Sequence, residues 1–195
     1  MFRGNKPVLI LPAILMIVMF IGGYQFLQGS EAATNEELQE VIDIQLEANR
    51  ANDDLRIRAN WDWTIMPAEG LYGEDYIGIA LIDQDTGEAR TDLEFVDSRI
   101  EVLFGDQVIE EAEGTVVDNG IIFAFSNKMD ENVTYGNLGR VEVTVGGEEL
   151  QADDVQLHFL HTWTEHSPLD KEDATFAQPT FGNAANVPYW ITTRP

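Results

Sequence analysis

All three histidines of the chain fall in one stretch, His158-Phe-Leu-His161-Thr-Trp-Thr-Glu-His166. Imidazole is the commonest transition-metal ligand. With Glu165, or a methionine from elsewhere in the fold, these rings offer the donors of a small copper or zinc site. The segment's own geometry sets a condition on that reading. Val155, Leu157, Phe159, His161 and Trp163 alternate with Gln156, His158 and Thr162, the period of a strand, which puts His158 and His161 on opposite faces. His166 then lies about 26 Å from His158 if the chain stays extended. A metal site using His158, His161 or His166 therefore needs the strand to end near Thr164, so that Glu165 and His166 turn back. Otherwise His161 is a half-buried neighbour of Trp163 and the other two rings are exposed.

A second candidate is Asp83-Gln-Asp85-Thr-Gly87, the opening of a calcium loop, with Glu94 at loop position twelve. The required glycine at position six is Glu88 here, and Thr91–Val96 reads as a strand where a helix should follow. A tight hairpin accounts for the same residues, so calcium is the weaker cation. Covalent chemistry has fewer starting points. The chain has no cysteine, which excludes thiol nucleophiles, thiolate metal sites and disulfides. No Gly-x-Ser-x-Gly elbow, phosphate loop or His-Glu-x-x-His occurs. Adjacent acids such as Glu110-Glu111 and Asp153-Asp154 point to opposite faces of a strand and make poor catalytic pairs. The expectation is that the protein is not an enzyme. Trp61, Trp63, Trp163 and Trp190 are the residues a carbohydrate-binding or hydrolytic domain would use for stacking, although core packing explains most of them.

The elements that must position these residues follow from periodicity. Trp61, Trp63 and Ile65 alternate with polar residues, and Tyr76–Ile82 is a short apolar run closed by a turn. Gly105-Asp106 separates two strand-like segments. Asp118-Asn119-Gly120 separates two more and contains Asn-Gly, the strongest short hairpin signal. Val141, Val143 and Val145 alternate before Gly146-Gly147. Such short strands, with turns at regular spacing and no helical pattern between them, predict a mainly β fold, an immunoglobulin-like antiparallel sandwich over 61–166. The last segment, 167–195, holds four of the seven prolines together with Phe176, Phe181, Tyr189 and Trp190. It reads as an extended tail whose aromatics pack on the sandwich, or else serve as an interaction surface.

The N-terminal part reads differently. Residues 1–6 carry Arg3 and Lys6, and 7–27 form an apolar run of 21 residues. That length suits a transmembrane anchor with its basic end in the cytoplasm. Val8–Ile21 also fits the apolar core of a cleaved signal peptide, with Ser30-Glu31-Ala32 as the cleavage region, which would leave a secreted protein. Thr34-Asn-Glu-Glu37 has the form of a capping box. Val41, Ile44, Ala48, Ala51 and Leu55 then recur three and four apart, predicting a helical stalk over 34–58.

Thirty-five acidic residues against 11 basic ones give a formal charge of −24. This excludes nucleic acid as a partner and disfavours an anionic surface. A Lys-poor acidic exterior suits a domain outside the cell in high salt or at high pH. The composite expectation is a single-pass membrane protein whose domain lies outside the cytoplasm. It would serve as a non-catalytic accessory module for another envelope protein, with the copper or zinc module as the alternative.

Overall fold

The structure, a computed structural model, describes residues 6–29, 33–91, 93–147 and 149–195, without the side chains of 6–11, 13 and 25–29. It divides into two compact units, residues 1–32 and 33–195. In the first, helix α1 runs from Lys6 to Gly29 and contains Pro12. Among the described residues no helix is long and apolar enough to cross a membrane.

The second unit opens with a one-turn helix α2 (Leu38–Val41). It continues as β1 (Ile42–Ala51), β2 (Asp54–Trp63), β3 (Glu74–Leu81), β4 (Glu94–Phe104), β5 (Gln107–Ala112), β6 (Thr115–Val117) and β7 (Gly120–Ser126). A small hairpin, β8 (Met129–Asp130) and β9 (Val133–Thr134), precedes β10 (Leu138–Gly146), β11 (Val155–Thr162) and β12 (Tyr189–Arg194). Two five-stranded sheets result, ordered β1-β2-β10-β4-β5 and β12-β11-β3-β7-β6, and every pairing in them is antiparallel. This is the expected β-sandwich.

The helical stalk over 34–58 is corrected. Its capping box exists: the Thr34 N–H donates to Glu37 Oε2 and the Glu37 N–H to Thr34 Oγ1. The helix it opens lasts only four residues. Beyond it β1 and β2 form a hairpin whose two-residue loop carries Asn52 at φ 62°. The three-and-four spacing lost to a period-two pattern in the same residues. Ile42 and Ile44 on β1, and Leu55, Ile57, Ala59, Trp61 and Trp63 on β2, all point into the core. An amphipathic stripe cannot bury its face alone, whereas this hairpin lays its apolar face on the opposite sheet. The sandwich thus begins near residue 42, not at 61.

Between the sheets, Trp61, Ile57, Val141, Val143, Ile100 and Val102 meet Ile77, Ile79, Phe123, Leu157 and Phe159. A second, smaller core lies on the outer face of the sheet that contains β3. Tyr76, Ile122 and Leu160 are covered there by Leu169, Ala174, Phe176 and Phe181. The segment 167–188 is therefore a cover, and the chain returns as edge strand β12 beside β11. The other sheet's outer face is polar. Glu142 pairs with Arg58 and Arg99, and Glu101 with Arg99 and Arg140, so arginines locally offset the acidic surface.

Candidate functional site

Register fixes what His161 meets. On β11 it follows Leu157 and Phe159 onto the core-facing side, while on β3 Asp75 precedes Ile77 and Ile79 on the same side. Both side chains are fully buried, and Nδ1 of His161 lies 2.9 Å from Asp75 Oδ2. Asp75 Oδ1 also accepts the Thr162 N–H at 3.0 Å and the Asn127 Nδ2–H at 2.9 Å. That same amide donates to the Thr162 carbonyl at 2.6 Å. On the far side of the ring, Nε2 faces Asn35 Oδ1 at 3.2 Å. The Asn35 amide nitrogen is turned to Glu69 Oε2 and the Gly70 carbonyl, which leaves its oxygen toward the imidazole.

The ring is thus held between the Asp75 carboxylate and the Asn35 amide oxygen, with the Asn127 amide nitrogen 3.3 Å from Nδ1. Trp63 meets the ring edge-on at 5.0 Å, Trp163 stacks at 5.6 Å and Trp190 tilts over it at 4.9 Å. An Asp–His couple is the acid–base half of a hydrolytic triad. Here the nitrogen that would serve a nucleophile is capped by Asn35, and the ring is closed off under three indoles. The couple holds the Thr162 backbone and the Asn127 amide in place.

The other two histidines lie elsewhere. His158 points out of the opposite face of β11, where Nδ1 meets Thr193 Oγ1 at 3.1 Å. Among the described residues its buried Nε2 has no hydrogen-bond partner. Burial lowers its pKa below the ordinary value of 6.5, with Asp173 opposing. A lowered histidine pKa means that the unfolded chain binds the proton first. The neutral ring therefore contributes stability above pH ~6.5, and that contribution is lost as pH falls through the folded value. His158→Gln is expected to flatten the fall in Tm between about pH 7 and pH 5. An unchanged slope in calorimetry at several pH values would show that His158 does not titrate as its burial implies.

His166 lies past the end of β11. Nδ1 donates to the Ser167 carbonyl at 2.7 Å, Nε2 meets Thr162 Oγ1 at 2.8 Å, and the ring packs edge-on against Phe181. The strand does end before Thr164, as a metal site would need, and His166 and Glu165 reach a cleft of about 510 Å³ that also contains Met129, Glu74, Lys128 and Tyr72. His158 and His161 do not join them. Among the described residues no three His, Cys, Asp or Glu side chains are grouped to hold a metal ion.

The calcium candidate resolves as a hairpin. Asp83 Oδ1 accepts the N–H groups of Asp85 and Thr86, and Oδ2 pairs with Arg90. The Thr86 amide bond, with help from Asp85 and Arg90 and against partial desolvation, holds its pKa below the usual carboxylate value. Of the aromatic tail residues, Phe176, Phe181 and Trp190 are buried in this chain's own cores, and only Tyr189 is exposed. The tail aromatics as an interaction surface are corrected accordingly. Trp61 and Trp63 are buried too, so they offer no stacking platform.

Sequence reasoning missed Asp75, Asn35 and Asn127. For Asp75 a signal existed: counting back by twos from Leu81 through Ile79 and Ile77 puts this acid on the core side. Comparison with protein-family models, curated proteins and solved structures found no match.

Proposed function

We propose that the protein is a membrane-anchored domain outside the cytoplasm, an immunoglobulin-type sandwich that serves as a non-catalytic accessory module for another envelope protein. The observation that carries the non-catalytic reading is the closure of the Asp75–His161 couple, whose acid–base capacity is spent on Asn35, Asn127 and Thr162. The immunoglobulin assignment draws on strand order. Taking β1, β2, β3, β4, β10, β11 and β12 as strands A to G gives A-B-E-D in one sheet and G-F-C in the other, the constant-domain arrangement. The strands β5 to β9 are then an insertion between D and E.

The anchor reading rests on the sequence, a 21-residue apolar run over 7–27 behind Arg3 and Lys6. A metal-handling role has less support, because only His166 of the three histidines reaches the open cleft and both its nitrogens are engaged. The test is fractionation of cells making the full chain. The expected result is full-length protein that stays in the membrane pellet after alkaline carbonate and is released when 7–27 is deleted. Soluble protein shortened by about 30 residues, the length of a signal peptide, would instead assign a secreted domain.

A further inference from the structure

We infer that the free edge of β1 is a self-pairing surface, where a second copy of this chain adds its own β1 antiparallel about a two-fold axis. β1 is the edge of its sheet and, among the described strands, pairs with β2 alone. The hairpin's two-residue loop makes Ala51 and Asp54 a hydrogen-bonded pair. By alternation Asn49, Glu47, Gln45 and Asp43 also turn their backbone groups toward β2. The Trp63 N–H bonds the Asn137 carbonyl on the other side of β2, which fits the same alternation. The N–H and C=O groups of Ile44, Leu46 and Ala48 therefore point away from the sheet.

Such an edge invites pairing, and proteins usually blunt it with shortness, bulges, proline or lysine. The other edges of the two large sheets are blunted. β6 has three residues, β5 has a register shift against β4, and β12 has six residues with the Ile191 carbonyl taken by Gln39. β1 has ten residues in unbroken register and no proline, glycine or lysine. Beside it lies a cleft of about 530 Å³, lined by Leu46 to Asn49 and by Ala152, Asp153 and Pro195. Leu46 and Ala48 are only half-buried, unlike Ile42 and Ile44, and an added strand would complete their cover.

Side-chain chemistry picks the occupant. With the axis at Leu46, the two Leu46 side chains meet on the core-facing side and Ile44 lies opposite the copy's Ala48. On the outer side Asp43 lies opposite the copy's Asn49, and Glu47 opposite its Gln45. Each carboxylate of β1 then meets an amide, and no like charges are opposed along the strand. Sliding the copies by two residues toward the hairpin loop would instead oppose Asp43 to Asp53. The net charge of −24 works against any association of copies, so salt that screens it strengthens the pairing.

The absence of native cysteine permits a cross-linking test. Gln45 and Glu47 are exposed and would face each other as a non-hydrogen-bonded pair. Their Cα atoms would lie about 4.5 Å apart, within disulfide reach. Full chain carrying Gln45→Cys would be mixed with tagged full chain carrying Glu47→Cys, in neutral detergent at high salt, and oxidised. The mixed disulfide is expected to form severalfold faster than in a mixture of Glu47→Cys and Asn49→Cys, whose thiols would be about 13 Å out of register. Adding Leu46→Pro to both copies removes the central outward N–H without removing a bond to β2. It is expected to bring the first rate down to the second. Equal rates in the two mixtures overturn self-pairing and leave the edge to a strand of another protein. A fast mixed disulfide that survives Leu46→Pro in folded protein overturns backbone pairing as its cause.

Discussion

Asp75→Ala is expected to destabilise residues 33–195 by about 3–5 kcal/mol, since each buried donor left without its acceptor costs about 1–3 kcal/mol. Since domains of this kind have roughly 5–15 kcal/mol in total, the variant sits at the edge of folding. The carboxylate accepts from His161, Asn127 and the Thr162 backbone. Its loss takes that acceptor from the His161 ring, the Asn127 amide and the Thr162 N–H, all of them buried. Adding His161→Phe is expected to restore part of the stability, because the stranded ring nitrogen goes with it. Urea unfolding of the four forms in a double-mutant cycle reads the coupling directly. Additive effects would show that Asp75 and His161 are neighbours without being coupled.

The second large effect concerns Gly78. Its strand partners are His158 and Ile122, and its outer face lies directly under the segment that covers the sheet. A Cβ there would overlap the Ala174 carbonyl and come within 3.1 Å of the Phe176 ring. Backbone on one side and a buried ring on the other leave little room to give, so Gly78→Ala is expected to cost about 1–3 kcal/mol as an overpacked site. The strain is relieved most readily by lifting the cover. Its signature would be faster proteolysis between 167 and 188, with the strands between the sheets still protected. Cleavage at the parent rate would mean that the cover adjusts around a methyl group.

Much of the sandwich was legible because period two leaves a strong mark. Val141, Val143 and Val145 announced β10, and Asn119-Gly120 marked the β6–β7 turn. The unbroken run Tyr76–Leu81 held a further message. A strand that is apolar on successive residues is buried on both faces, and here the second face lies under 169–181. The β1–β2 hairpin was hidden because Ile44, Ala48 and Leu55 satisfy two periods at once. Only the burial offered by the opposite sheet decides between them. The site was half legible. Strand alternation separated His158 from His161 correctly, but the partners of His161 come from positions 35, 75 and 127. Their convergence is a product of topology, which a linear pattern does not carry.

The bond from Trp190 Nε1 to the Asn35 carbonyl joins residues separated by 155 positions. During synthesis the chain emerges from its N-terminal side, so Asn35 appears early and waits for its partner. Until the indole arrives, the His161 ring lacks one of its three walls and the sheet lacks its last strand. Completion of this fold therefore waits for β12. A long-range closure of this kind is also slow to form. The half-made domain leaves Asn35 and the His161 pocket open on that side.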